Sequence, residues 1–184
     1  MSSRRRKTAV LTVRLSKELN DVLLEDAEDD GITASSLVNR IVKKYVEWDR
    51  HAKKFRLVTI TPESFQFLIE HTDDKTLKES VATVTQDQLE ALMLFWFKKK
   101  SLDTVLETVD VLGRYAGLFE HEVEHRDGSH VITLTHGLGK KWSAYIGALI
   151  GRFIEKELSV VPEIICTDDT AVITFRIDSS DSRA

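Results

Sequence analysis

Thr8-Ala9-Val10-Leu11-Thr12-Val13-Arg14-Leu15 puts Leu11, Val13 and Leu15 on one side of an extended chain and Val10, Thr12 and Arg14 on the other. It is preceded by Arg4-Arg5-Arg6-Lys7 and followed by two helical patterns that meet at Gly31. A ribbon of this length buries too little apolar surface to be stable alone and leaves its edges unpaired. No second strand is predicted before residue 54. The simplest partner is therefore the same strand of a second copy, which makes a two-stranded antiparallel ribbon across a two-fold axis and an intertwined homodimer.

The segments that follow suit this arrangement. Ser16 can cap a helix with apolar positions at Leu19, Val22, Leu23 and Ala27, and Gly31 is a good C-terminal stop. Thr33 is the expected N-cap of a second helix. Its stripe of Leu37, Val38, Ile41, Val42, Tyr45 and Val46 ends near Trp48. Leu11, Val13, Leu15, Leu37, Val38 and Ile41 are the expected dimer core.

On Leu11-Thr12-Val13-Arg14-Leu15-Ser16, the turn Gly31-Ile32-Thr33-Ala34-Ser35 and the second-helix stripe, the segment from about Lys7 to Trp48 resembles the ribbon-helix-helix family of DNA-binding proteins. The resemblance implies a dimer whose ribbon enters the major groove of double-stranded DNA, a known mode of β-ribbon readers. The residues allow the same assignment on their own chemistry. Arg14 can donate two hydrogen bonds to guanine O6 and N7, Thr12 can bond a base edge or touch a thymine methyl, and Val10 offers an apolar contact. The free N–H groups of Ala34 and Ser35, with the Thr33 and Ser35 hydroxyls and the helix dipole behind them, form a candidate phosphate clamp. Arg4, Arg5, Arg6 and Lys7 make a basic arm, expected to be disordered without DNA, that can follow a phosphate backbone.

Charge separates the chain in the same place. Residues 1–54 hold twelve Lys and Arg against nine Asp and Glu, whereas residues 55–184 hold fourteen against twenty-one. A head of net +3 on a body of net −7 suits DNA binding by the head alone. At 184 residues and 42% hydrophobic content the chain can support that head and one further domain with its own core. The expected plan is a basic arm over 1–7, a DNA-binding domain over 8–50, a second domain over 54–178 and a flexible tail over 179–184. No signal peptide or membrane-length apolar run is seen, so a cytoplasmic, nucleoid-associated location is expected. With Cys166 as the only cysteine, an intramolecular disulfide and a cysteine-based zinc cage within one chain are excluded.

In the second domain the pattern predicts a strand over Phe55–Ile60, a helix opening at Thr61-Pro62-Glu63, and helices over 74–83, 86–99 and 102–116. Thr85 and Gln88 have capping-box spacing, Ser101 caps the 102–116 helix and Gly117 ends it. Hairpin strands are expected over 119–126 and 129–136 around Asp127-Gly128, a helix over 140–158, and a second hairpin over 161–167 and 170–177. The fold class is α+β, with a β-β-α-β-β unit and an antiparallel sheet. Ala144, Gly147, Ala148 and Gly151 form a small-residue stripe on the long helix, expected to pack closely on the sheet, with a ligand pocket or a helix pair across a dimer axis as the alternatives.

The hairpin register sets His125 opposite His130, Val123 opposite Ile132, His121 opposite Leu134 and Phe119 opposite His136, all on one face. Alternation alone accounts for such a face. A divalent metal held by His121, His125 and His130 is the alternative, although no cofactor is required. Gly137 and Gly139, before Lys140 and Lys141, fit either an anion site or a simple strand-to-helix turn. The stretches Gly113–Glu120 and His136–Tyr145 are also similar to C-terminal domains of archaeal regulators. No nucleophile elbow, phosphate-binding loop, dinucleotide fingerprint or His-Glu-x-x-His helix is present, and no enzymatic activity is expected. The leading expectation is a sequence-specific transcriptional regulator acting as a homodimer, or a tetramer built from it, with a second domain that oligomerises or senses an effector. An antitoxin-like interaction module and a metal-responsive regulator are the alternatives.

Overall fold

The computed structural model describes residues 9–84, 88–126 and 128–177. The chain divides into two compact units between Lys54 and Phe55. In the first unit, α1 (Lys17–Asp29) is capped by Ser16, whose hydroxyl accepts from the Leu19 N–H. It ends in a Schellman motif: the Ile32 N–H bonds the Ala27 carbonyl at 2.9 Å and the Gly31 N–H bonds that of Glu28 at 3.0 Å. Gly31 has φ +65°, a conformation that costs a residue with a Cβ and that glycine adopts freely. The chain thus reverses within four residues into α2 (Ala34–Lys44), where Thr33 caps the Ser36 N–H at 3.1 Å.

The single chain departs from the expected elements at three places in this region. Among the described residues, 9–15 form no strand, because a ribbon of that length has nothing in one chain to pair with. Residues 55–60 form no strand either. The helix does not stop near Trp48: α2 continues through a π-helical turn (Tyr45–Asp49) into α3 (Arg50–Phe55). With no glycine or proline from 34 to 55, the backbone keeps its hydrogen bonds by widening one turn, and the Arg50 N–H reaches back to the Tyr45 carbonyl. Arg56, at φ +52°, ends the run.

The second unit is α+β. Helices α4 (Pro62–His71), α5 (Asp74–Val84), α6 (Glu90–Phe97) and α7 (Leu102–Ala116) precede β1 (Glu120–Arg126), β2 (Ser129–Thr135), α8 (Lys140–Leu158), β3 (Glu163–Cys166) and β4 (Thr170–Arg176). Both hairpins join one antiparallel sheet in the order β1-β2-β4-β3. Ser101 and Thr104 cap each other's backbone N–H groups at the start of α7, and Gly117 closes it at φ +70°. Thr85 and Asp127 lie outside the described residues, as do the basic arm and the tail over 179–184.

The β1–β2 register is as expected, from Glu120 opposite Thr135 to Arg126 opposite Ser129. Phe119 and His136 lie just beyond it. Ile132, Leu134, Ala171, Ile173 and Phe175 turn one sheet face inward, onto Ile146, Ile150, Phe153 and Ile154 of α8 and Val105 and Val109 of α7. Each fully buried Leu, Ile or Phe contributes about 1.5–3 kcal/mol. The opposite face carries Glu122, Thr133, Val172 and Ile165.

Small residues decide how closely the helices approach the sheet. Cβ atoms added at Gly147 and Gly151 of α8 would meet Ile164 at 3.0 and 2.5 Å, so this half of the small stripe packs on β3 as expected. At Gly113 of α7 an added Cβ would sit 2.4 Å from His121 Nδ1 and 3.1 Å from Phe119. Gly113→Val should therefore destabilise the fold. The gain in helix propensity is a few tenths of a kcal/mol, whereas overpacking costs about 1–3 kcal/mol. A thermal melt of the variant should fall by several degrees.

Candidate nucleic-acid interface

The first unit has well-made helix ends and almost no core. Among its described residues only Ala27 and Leu37 are buried hydrophobics. Twelve large hydrophobics from Val10 to Val46 are exposed, among them Leu11 at 82%, Val13 at 61% and Ile41 at 49%. Apolar patches of this extent on a folded unit mark an interaction surface. The side chains expected to form a dimer core occupy that surface, Leu37 excepted, which packs within its own chain.

Val10, Thr12 and Arg14 are exposed, and Arg14 forms no ion pair among the described residues. At the start of α2 the Thr33 hydroxyl accepts the Ser36 N–H and lies 2.9 Å from the Ser36 hydroxyl. The N–H groups of Ala34 and Ser35 are left as unused donors, since the first turn of a helix has no carbonyl behind it. No acidic side chain occupies that turn, so the positive end of the helix is uncompensated. The nearby carboxylate of Asp30 is held by Arg40 at 2.7 Å. Arg4, Arg5, Arg6 and Lys7 lie outside the described residues.

In the second unit the histidines divide. The His125 and His130 rings meet edge to face with centroids 4.3 Å apart, and His130 stacks on Phe175. His121 is drawn to α7, with its Nε2 3.3 Å from Asp110 Oδ1. Four residues along a strand are about 13 Å, and Val123 and Ile132 lie between, so His121 is not brought to the other two. Among the described residues no group of three His, Cys, Asp or Glu is arranged to hold a metal ion.

A buried polar cluster escaped the sequence patterns. His136 Nε2 lies 2.9 Å from the Ser143 hydroxyl, and the Cys166 thiol donates to the Ser143 carbonyl at 3.4 Å. The pair resembles a base and nucleophile, but its protonation is wrong for that. The Leu138 N–H donates to His136 Nδ1 at 3.2 Å, so the ring proton sits on Nε2 and is given to Ser143. Ser143 is an acceptor here, and the cluster ties the end of β2 to α8. Burial also pushes the Cys166 thiol above its ordinary pKa, away from thiolate chemistry.

Burial lowers the pKa of His136, and burial followed by the neighbouring His125 lowers that of His130. Both folded-state values lie below the unfolded one, about 6.5. The unfolded chain therefore binds more protons in the interval between them. Stability from these groups is complete above about pH 6.5 and is lost as pH falls through the depressed folded values. Melting temperature measured from pH 8 to 5 should drop more steeply for the native protein than for a His130→Gln/His136→Gln variant.

No protein-family model matches the chain, and no curated protein is significantly similar to it. No helix among the described residues is long and apolar enough to cross a membrane.

Proposed function

We propose that the chain is a sequence-specific DNA-binding protein that acts as an intertwined homodimer and regulates transcription in the manner of ribbon-helix-helix proteins. One observation carries this reading: a unit with two capped helices leaves nearly all its large apolar side chains, and an unpaired alternating segment, exposed. A second copy supplies both missing parts at once, a strand to pair with residues 9–15 and an apolar face to cover α1 and α2.

Once the ribbon forms, Val10, Thr12 and Arg14 share its outer face and the α2 N-termini flank it. Base readers lie in the middle and phosphate donors at the sides, and only the middle carries sequence information. The arm from Arg4 to Lys7 adds affinity of the kind that falls steeply with salt. Selection of bound duplexes from a random pool should return one enriched motif with two-fold symmetry. A pool recovered without enrichment, or the absence of binding at low salt, overturns the proposal.

A further inference from the structure

Along α8 the small-residue stripe has a second half that does not touch the sheet. Ala144 and Ala148 face α5, where they form the floor of a groove of about 460 Å³ with Leu77, Val81 and Tyr145 as walls. It continues past Ala148 and Gly151 into a neighbouring space of about 480 Å³ that ends against Val161, Pro162 and Ile164. Spaces of this size are typical of sites for small organic ligands, which are mostly apolar with a few placed polar groups.

Three lysines border the first space, and one of them, Lys78, stands where it joins the second. Lys140 and Lys141 begin α8, and Lys78 overhangs the groove from α5. Lys141 is already engaged, bonding the Glu70 and Thr72 carbonyls and lying 3.6 Å from Asp74. That contact offsets Asp74, and the Glu70 carboxylate at the same end accepts from Gln66 at 3.1 Å. Lys78 and Lys140 form no ion pair among the described residues. The far end is apolar and unfinished, with Val161 79% and Ile164 38% exposed. Arg152 and Glu155, which also border it, offset each other in charge.

We propose that this groove binds an elongated amphipathic anion, a straight-chain carboxylate, with its head between Lys78 and Lys140 and its chain over Ala144 and Ala148 toward Val161. The polarity runs in that order, cationic then apolar, and a chain lying there covers the exposed end. Alanine at 144 and 148 is required because a larger side chain would fill the floor. The site is a property of the second unit, and its occupancy does not depend on DNA binding.

The test is titration of the full chain with dodecanoate below its micelle concentration, with dodecanol and dodecylammonium as controls. The expected result is saturable binding of one dodecanoate per chain, at least tenfold weaker for both controls. The Lys78→Gln/Lys140→Gln variant should bind dodecanoate at least tenfold more weakly, and Ala148→Leu should abolish binding. Absence of saturable binding, equal binding of dodecylammonium, or an unchanged affinity in the lysine variant overturns the proposal. The two lysines are on the surface, so that variant remains decisive even if Ala148→Leu fails to fold.

Discussion

If a second copy completes the head as proposed, Val38→Asp/Ile41→Asp should leave the protein monomeric and remove sequence-specific DNA binding. Both side chains lie on the face of α2 that the single chain leaves exposed, at 39% and 49%. In one copy an aspartate there meets water and costs little. In a dimer each copy would bury two carboxylates in an apolar contact, and an unpaired buried charge costs several kcal/mol. Four such charges together exceed the roughly 8–12 kcal/mol of a micromolar to nanomolar association. Sedimentation velocity should show a single species at the mass of one chain. Because the second unit has its own core, it should keep its melting transition. A variant that stays dimeric would show that the α2 face is not the interface.

The second large effect falls on recognition. Arg14→Ala should erase most discrimination between the selected motif and random sequence while leaving low-salt binding to any duplex. A bidentate arginine–guanine contact is worth about 1–3 kcal/mol of discrimination, and a dimer presents two. The specificity ratio should therefore fall by a factor between about 30 and about 20,000. Val10 offers only an apolar contact and Thr12 a single hydroxyl, so neither can compensate. Deleting residues 1–7 should do the reverse, weakening all duplexes alike and reducing the salt dependence. Competition binding against the selected site and a scrambled one separates the two outcomes.

Elements closed by local chemistry were legible in the sequence. Ser16, Thr33 and Ser101 cap where their position before an apolar stripe predicted, and Gly31 and Gly117 stop helices in the left-handed conformation that glycine tolerates. The β1–β2 register followed from the turn position, since period-two alternation leaves one way to bring Ile132 and Leu134 inward. The expected strand over 55–60 rested on its aromatic and β-branched residues, and helix propagation from Ala34 overrode its first residue. The His136–Ser143 contact was invisible because it joins the end of a strand to the next helix through a glycine turn, with no periodicity to reveal it. For the residues proposed to face DNA the sequence supplied side-chain chemistry, whereas their juxtaposition would depend on a second chain.

The scarcity of core in the first unit has a consequence for dosage. If the head is completed only by a second copy, the concentration of competent heads rises as the square of chain concentration while monomers predominate. Occupancy of a DNA site would then respond to a twofold change in expression with up to a fourfold change in binding species. A threshold of this kind needs no effector: it follows from leaving Leu11, Val13 and Ile41 uncovered in the single chain.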